Sequence, residues 1–183
     1  MVLFAVLGAA TQLLVVMPVV GPRVIGAFIT NTVSAGRAAD TLAVTPALMF
    51  SLRTFWSESL PREWVTIAYG VSALAIWAFT ARGWRRTTDP LQRGGLLAIS
   101  TALTAPHLFL YDLVILIPAF LASSGILMNR RAPALRWTMA LAFLSPCIGP
   151  PLAWLTHVQV ASVLLVAWLT ALLQVLPAMP GPS

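Results

Sequence analysis

Apolar runs long enough to cross a bilayer recur along this chain, separated by short polar breaks. Six are present, at about 2–20, 64–81, 94–105, 107–128, 137–156 and 158–176. The hydrocarbon core of a bilayer is roughly 30 Å thick, so about 20 apolar residues in a helix make one crossing. The third run is short if it stops at Pro106, and it can borrow Gln92 and Arg93 as interfacial or snorkelling residues at its start. The pattern predicts an all-α, polytopic transmembrane helix bundle of about six spans. It reads as a single domain over 1–183 with a long extracytoplasmic loop over 21–63.

That loop, from Gly21 to Glu63, is too long to be a plain connector; such segments are functional or disordered. Its second half is patterned. From Pro46 to Leu60, PALMFSLRTFWSESL places Leu48, Leu52, Phe55 and Trp56 on one face at helical spacing, with Ser51, Thr54, Ser57 and Glu58 opposite. Thr45 is suited to be the N-cap, with Pro46 at the first helical position. The expected element is an amphipathic helix in the interface plane, its apolar face in the headgroup boundary. Arg53 lies at the edge of that face, where it would reach a lipid phosphate. The alternative is a passive surface helix that shields the bundle.

Composition agrees with a membrane protein. Hydrophobic residues make up 59% and charged residues 9%, whereas soluble domains carry roughly 25% charged residues. Mean hydropathy is +0.89 and the isoelectric point is near 11.4. The eleven basic residues are all arginine and cluster between apolar runs, unlike the contiguous patch of a nucleic-acid reader, so no nucleic-acid partner is expected. Arg82, Arg85, Arg86 and Arg93 fill one short connection and Arg130, Arg131 and Arg136 another. By the positive-inside rule both connections are cytoplasmic, which places both termini inside and the 21–63 loop, His107 and His157 outside. Arg23, Arg37, Arg53 and Arg62 in that loop count against the assignment, offset in part by Asp40, Glu58 and Glu63. Trp56, Trp64, Trp84, Trp137 and Trp154 fall at the ends of spans, as aromatic belts do. The first run has no basic region before it and no small-residue cleavage site after it, so it is expected to stay in the protein.

Candidate chemistry concentrates in Thr104–Pro118, TAPHLFLYDLVILIP. A carboxylate inside the bilayer costs on the order of 2.5 to 3.5 kcal/mol, which makes Asp112 either functional or a paired structural group. Pro106 suits a first helical turn, so the fourth span is expected to begin there with its N-terminus outward. Free N–H groups and the helix dipole would then favour a phosphate, and His107 adds a donor. His107 and Tyr111, four apart, share a face, while Asp112 lies about 140° around an ideal helix from His107. The plainer alternative makes His107 an interfacial histidine and Asp112 a packing residue. His157 is read as structural. SPCIGPP, Ser145–Pro151, is expected to break or kink the fifth span, and Pro118 to kink the fourth. Ala122, Ser123, Ser124 and Gly125 would allow close helix contact. Cys147 is the single cysteine, and no Walker A, HExxH, nucleophile-elbow or paired-cysteine pattern occurs, so no metal site is assigned.

Two stretches, MFSLRTFWSESLP before the tryptophan-led second span and TAPHLFLYDLVILIPAFL, carry a family resemblance. Over about residues 1–176 the chain resembles the C-terminal half of the family-87 glycosyltransferases, membrane enzymes of the GT-C superfamily that include mycobacterial mannosyltransferases. The resemblance implies transfer of a hexose, mannose above all, from a polyprenyl-phosphate donor to a lipid or glycan acceptor at the outer face of a bacterial plasma membrane. Its implied partners are membrane lipid and a lipid-linked sugar, with no nucleotide sugar and no cofactor. His107 and Asp112 are the catalytic candidates, and Arg53, His107 and Tyr111 the substrate-binding ones. Family members are around twice this length, and their general base lies in the first outer loop of the N-terminal half. The chain therefore reads as the C-terminal part of a larger protein in which no residue inherits that base. The alternatives are a non-catalytic membrane subunit, a small transporter using Asp112 for ion coupling, or a pure scaffold. No second copy of PHLFLYD is present, which weighs against the internal repeats common in transporters.

Overall fold

The structure is a computed structural model that describes residues 50–106, 108, 110–156 and 158–176, together with 11, 18, 21–24, 26–27 and 30. Residues 1–44 and 45–183 form two compact units. In the first, Gly21 adopts φ +82°, the left-handed conformation that glycine tolerates, and the backbone turns into helix at residues 22–24, where the Val24 N–H donates to the Gly21 carbonyl at 3.2 Å. Of the expected span at 2–20 only Thr11 and Pro18 are described, both helical, and the proposed cap Thr45 lies outside the described residues.

Six α-helices make up the described part of the second unit. They are α1 (Leu52–Ser59), α2 (Arg62–Arg86), α3 (Pro90–Thr104), α4 (Ile117–Asn129), α5 (Pro133–Thr156) and α6 (Val160–Val175), with a 3-10 helix at Leu110–Leu116 leading into α4. No strand occurs among the described residues. Three helical stretches are long and apolar enough to cross a membrane: α2, Asp112–Asn129 and α5. They mark a membrane protein. The helices at the third and sixth expected runs are present but short. At 15 and 16 residues they extend about 23 Å each, against the roughly 30 Å of hydrocarbon.

The short helices form the centre. Leu96, Ile99 and Leu103 of α3 and Leu165, Trp168 and Leu172 of α6 are buried together with Ala119 of α4. Gly95 explains how α3 and α4 come so close: a Cβ there would stand 3.0 Å from the Ala122 Cβ and 3.1 Å from the Ala119 Cα. Small residues let backbones approach in this way. Of the small-residue stretch, Ala122 and Ser123 are buried and Ser123 accepts a hydrogen bond from the Trp168 indole at 3.0 Å, whereas Gly125 faces open space. The outside is apolar instead. Trp64, Ile67, Val71 and Leu74 form an exposed stripe on α2, with Leu74 73% exposed, a surface suited to lipid rather than water.

Four local expectations need correction. First, the helix around Arg53 starts at Leu52, not Pro46: Ser51 is extended (φ −122°, ψ 157°) and is the N-cap, its side chain accepting from the Thr54 N–H. Thr54, assigned from periodicity to the polar face, is buried with Leu52, because α1 packs against α2 and α3. Second, no helix starts at Pro106, which sits in a turn. The α-ladder begins only at Ile117, with Pro118 in the first turn. A continuous helix would have placed Pro118 in its interior, without the N–H that bonds the Val114 carbonyl. Pro118 therefore starts a helix rather than kinking one. Third, of the break or kink expected at SPCIGPP the break does not occur: α5 stays helical through Pro146, Pro150 and Pro151. Pro146 leaves the Ala142 carbonyl without its ladder donor, and the Ser145 hydroxyl donates to that carbonyl at 2.7 Å, the kind of side-chain rescue that lets proline persist in membrane helices. Fourth, the third helix begins at Pro90 rather than residue 94, capped by Asp89, which accepts from the Leu91 N–H at 2.9 Å. Arg93 is then one turn inside the helix, donating to the Thr87 carbonyl at 2.8 Å with its guanidinium 5.0 Å from the Trp84 ring.

Candidate functional site

The N-terminus of α1 is held by a cluster of hydrogen bonds to distant parts of the chain. Ser51 is fully buried. Its hydroxyl donates to the Pro106 carbonyl at 3.3 Å, accepts from the Thr54 N–H at 3.4 Å and lies 3.2 Å from the Thr54 hydroxyl. Its carbonyl accepts from the Ser162 hydroxyl at 3.1 Å and from the Phe55 N–H at 3.1 Å. One residue earlier, the Phe50 N–H donates to the Leu108 carbonyl at 2.9 Å, and the buried Phe50 ring covers the position where a Cβ on Gly149 would project, at 3.5 Å. Residues 50 and 51 thus tie together α1, the connection after α3, α5 and α6.

This junction exists because α3 and α6 are short. The C-terminus of α3 at Thr104 and the N-terminus of α6 at Val160 both stop beside Ser51, inside the level reached by α2 and α5. Tyr69, about five turns from the Arg86 end of α2, donates its hydroxyl to the Thr104 carbonyl. Backbone groups freed at a helix end need partners when buried. Here Tyr69, Ser51 and Phe50 supply donors to the carbonyls of Thr104, Pro106 and Leu108 in turn.

The predicted site residues distribute unevenly around this junction. Arg53 is half-buried on α1 and lies close enough to Tyr69 for its positive charge to act on the phenol. Asp112 is half-buried on the 3-10 helix, at the head of the candidate span Asp112–Asn129, and has an interaction partner. It heads the span rather than standing inside it. Tyr111 has its backbone on the same 3-10 helix. At about three residues per turn, that helix does not keep the angular relations of an α-helix, so neither the face expected to be shared by His107 and Tyr111 nor the 140° offset of Asp112 carries over. His107 and His157 lie outside the described residues. The neighbours of His107, Pro106 and Leu108, are the two residues bonded to the start of α1.

Sequence reasoning passed over Tyr69 and Ser162, and placed Ser51 on the polar face of a helix rather than at its cap. Tyr69 carried a usable signal, being one of two tyrosines in the chain. Ser51 precedes the helical run as a capping serine does, but Thr45–Pro46 was the stronger local signature. Ser162 had none. No group of three or more His, Cys, Asp or Glu residues able to hold a metal occurs among the described residues. At the junction the Ser51, Ser162 and Tyr69 hydroxyls are bonded to backbone carbonyls, with Arg53 near Tyr69 as the neighbouring cation. No protein-family model, curated protein or solved structure matches the chain.

Proposed function

We propose that this chain is a module of a membrane glycosyltransferase that takes a hexose from a polyprenyl-phosphate donor, with the junction around Arg53 receiving the donor's phosphate. One observation carries the reading. The two stretches that resemble the family-87 enzymes, around Phe50–Leu60 and Thr104–Asp112, are hydrogen-bonded to each other through Phe50, Ser51, Pro106 and Leu108. Residues 55 positions apart are brought to one place, and Arg53, which directly follows Leu52 at this junction, supports a phosphate role there. A guanidinium matches phosphate oxygens in a bidentate fork. His107 and Tyr111 are assigned to the sugar and its phosphate.

In the transfer, the acceptor oxygen forms the new bond to the sugar C1 as the bond from C1 to the phosphate oxygen breaks. Polyprenyl phosphate leaves with the electron pair, and the acceptor proton passes to a general base. Arg53 and His107 stabilise the charge that develops on the departing phosphate. Asp112 is assigned to positioning, not to the base. Its place at the head of a span suits holding the 3-10 helix against its neighbours.

The test is binding of a fluorescent polyprenyl-phosphate mannose to the full chain in mild detergent. Saturable binding is expected, weakened about tenfold or more by Arg53→Ala and by His107→Ala, and competed by unlabelled polyprenyl phosphate but not by the uncharged polyprenol. Equal competition by polyprenol, or unchanged binding in both variants, would remove the phosphate site from this junction.

A further inference from the structure

A second feature of the bundle has a different composition. Between α1, α2 and α6 runs a groove of about 630 Å³, within the size range of small-molecule sites. Its two ends differ chemically. At one end Arg82 and Arg86 of α2 line it together with Thr170 and Gln174 of α6. Toward the other end the lining is apolar, and Trp56 donates its indole N–H to the Ser72 hydroxyl at 2.9 Å. The two long walls run in the same direction. A Cβ on Gly83 would meet the Leu173 side chain, and Ser162 is bonded to Ser51 at the start of α1, so each end of α6 is level with the matching part of the α1–α2 hairpin. From Ser72 to Arg86 the groove extends about 21 Å along α2, somewhat more than the roughly 15 Å depth of one leaflet's hydrocarbon.

Among the described residues the two arginines have no other partner. Arg93 and Arg130 make backbone hydrogen bonds, but neither Arg82 nor Arg86 has a hydrogen bond or ion pair among the described residues. They are one turn apart on α2 and so present two guanidiniums to one site. No acidic residue lines the groove. We infer that this groove holds an anionic diacyl phospholipid, its phosphate on Arg82 and Arg86 and an acyl chain along the apolar wall toward Trp56. Basic pockets between membrane helices bind anionic headgroups in this way. The inference is independent of the glycosyltransferase reading, whose phosphate site lies at the opposite end of the bundle.

The probe is phosphatidylglycerol. The full chain is reconstituted in bilayers of phosphatidylglycerol and phosphatidylcholine, extracted in mild detergent, and its retained lipid measured by native mass spectrometry. Wild type is expected to keep phosphatidylglycerol in preference to phosphatidylcholine at about one molecule per chain. The double variant Arg82→Gln/Arg86→Gln should lower that preference about thirtyfold, from the contribution of two basic residues at a membrane surface. Arg85→Gln, on the same turn but outside the groove lining, should leave it unchanged. Ala75→Trp, which fills the apolar wall and keeps both arginines, should also expel the lipid. Equal retention of the two lipids by wild type would overturn the proposal. So would undiminished preference in the double variant, an equal loss in Arg85→Gln, or displacement of phosphatidylglycerol by polyprenyl phosphate at one-to-one stoichiometry. Binding of polyprenyl-phosphate mannose should survive Arg82→Gln/Arg86→Gln, which separates failure here from failure at Arg53.

Discussion

Replacing Ser51 by alanine should loosen the junction more than any other removal of a single surface or buried hydroxyl in α1. The hydroxyl is fully buried and has two separable roles. As the N-cap of α1 it accepts from the Thr54 N–H, a contribution of about 1 kcal/mol in typical helices. As a donor it satisfies the Pro106 carbonyl across 55 residues of sequence, and side-chain hydrogen bonds within membrane proteins average about 0.6 kcal/mol. Pro106 is itself exposed, so its carbonyl carries no further burial penalty once the donor is gone. The expected loss is about 1.6 kcal/mol, or about fifteenfold in the unfolding equilibrium. Unfolding by sodium dodecyl sulfate in mixed micelles, followed by tryptophan fluorescence, measures it directly. Ser57→Ala is the matched control. Its hydroxyl also bonds a backbone carbonyl, that of Thr54 at 2.8 Å, but the residue is exposed, so its loss should stay within about 0.5 kcal/mol. If the two variants unfold alike, the claim that Ser51 ties α1 to the connection after α3 is wrong.

Two further outcomes follow from the packing. Gly95→Val should destabilise by about 1 to 3 kcal/mol in the same assay, because its Cβ meets backbone as well as side-chain atoms of α4. Gly125→Val, facing open space in the same bundle, should be close to neutral, and equal effects would mean that α3 and α4 do not cross at Gly95. A double-mutant cycle of Ser123→Ala with Trp168→Phe should give a coupling energy of about 0.6 kcal/mol, up to about 1.7; zero coupling would refute the buried indole bond.

Much of the fold was readable along the chain. The helices at the second, fifth and sixth apolar runs lie within five residues of their expected ends, because apolar length and flanking polar residues are local properties. The errors fall where a local rule had competitors. Periodicity put Thr54 on a polar face, yet its hydroxyl is buried beside Ser51. Proline rules predicted interruption at both Pro118 and Pro146, and gave opposite results. Pro118 falls in the first turn of α4, whereas Pro146 is carried through by Ser145. For the candidate site, Arg53 and Asp112 were singled out by being charged in an apolar chain, a signal visible in composition. Tyr69 and Ser162 were not, since their importance comes from which distant carbonyl each one reaches.

The sequence by itself determined that this chain forms apolar helices of membrane-crossing character, divided by arginine-rich connections. Helix formation and burial in lipid depend on the local density of apolar side chains and on backbone bonds made within each segment. Only the tertiary structure decided that α3 and α6 stop short and that their ends meet the buried start of α1. It also decided that a groove lined by Arg82 and Arg86 runs along α2. Those features depend on contacts between residues tens of positions apart, held by small residues and single hydroxyls that look unremarkable one at a time.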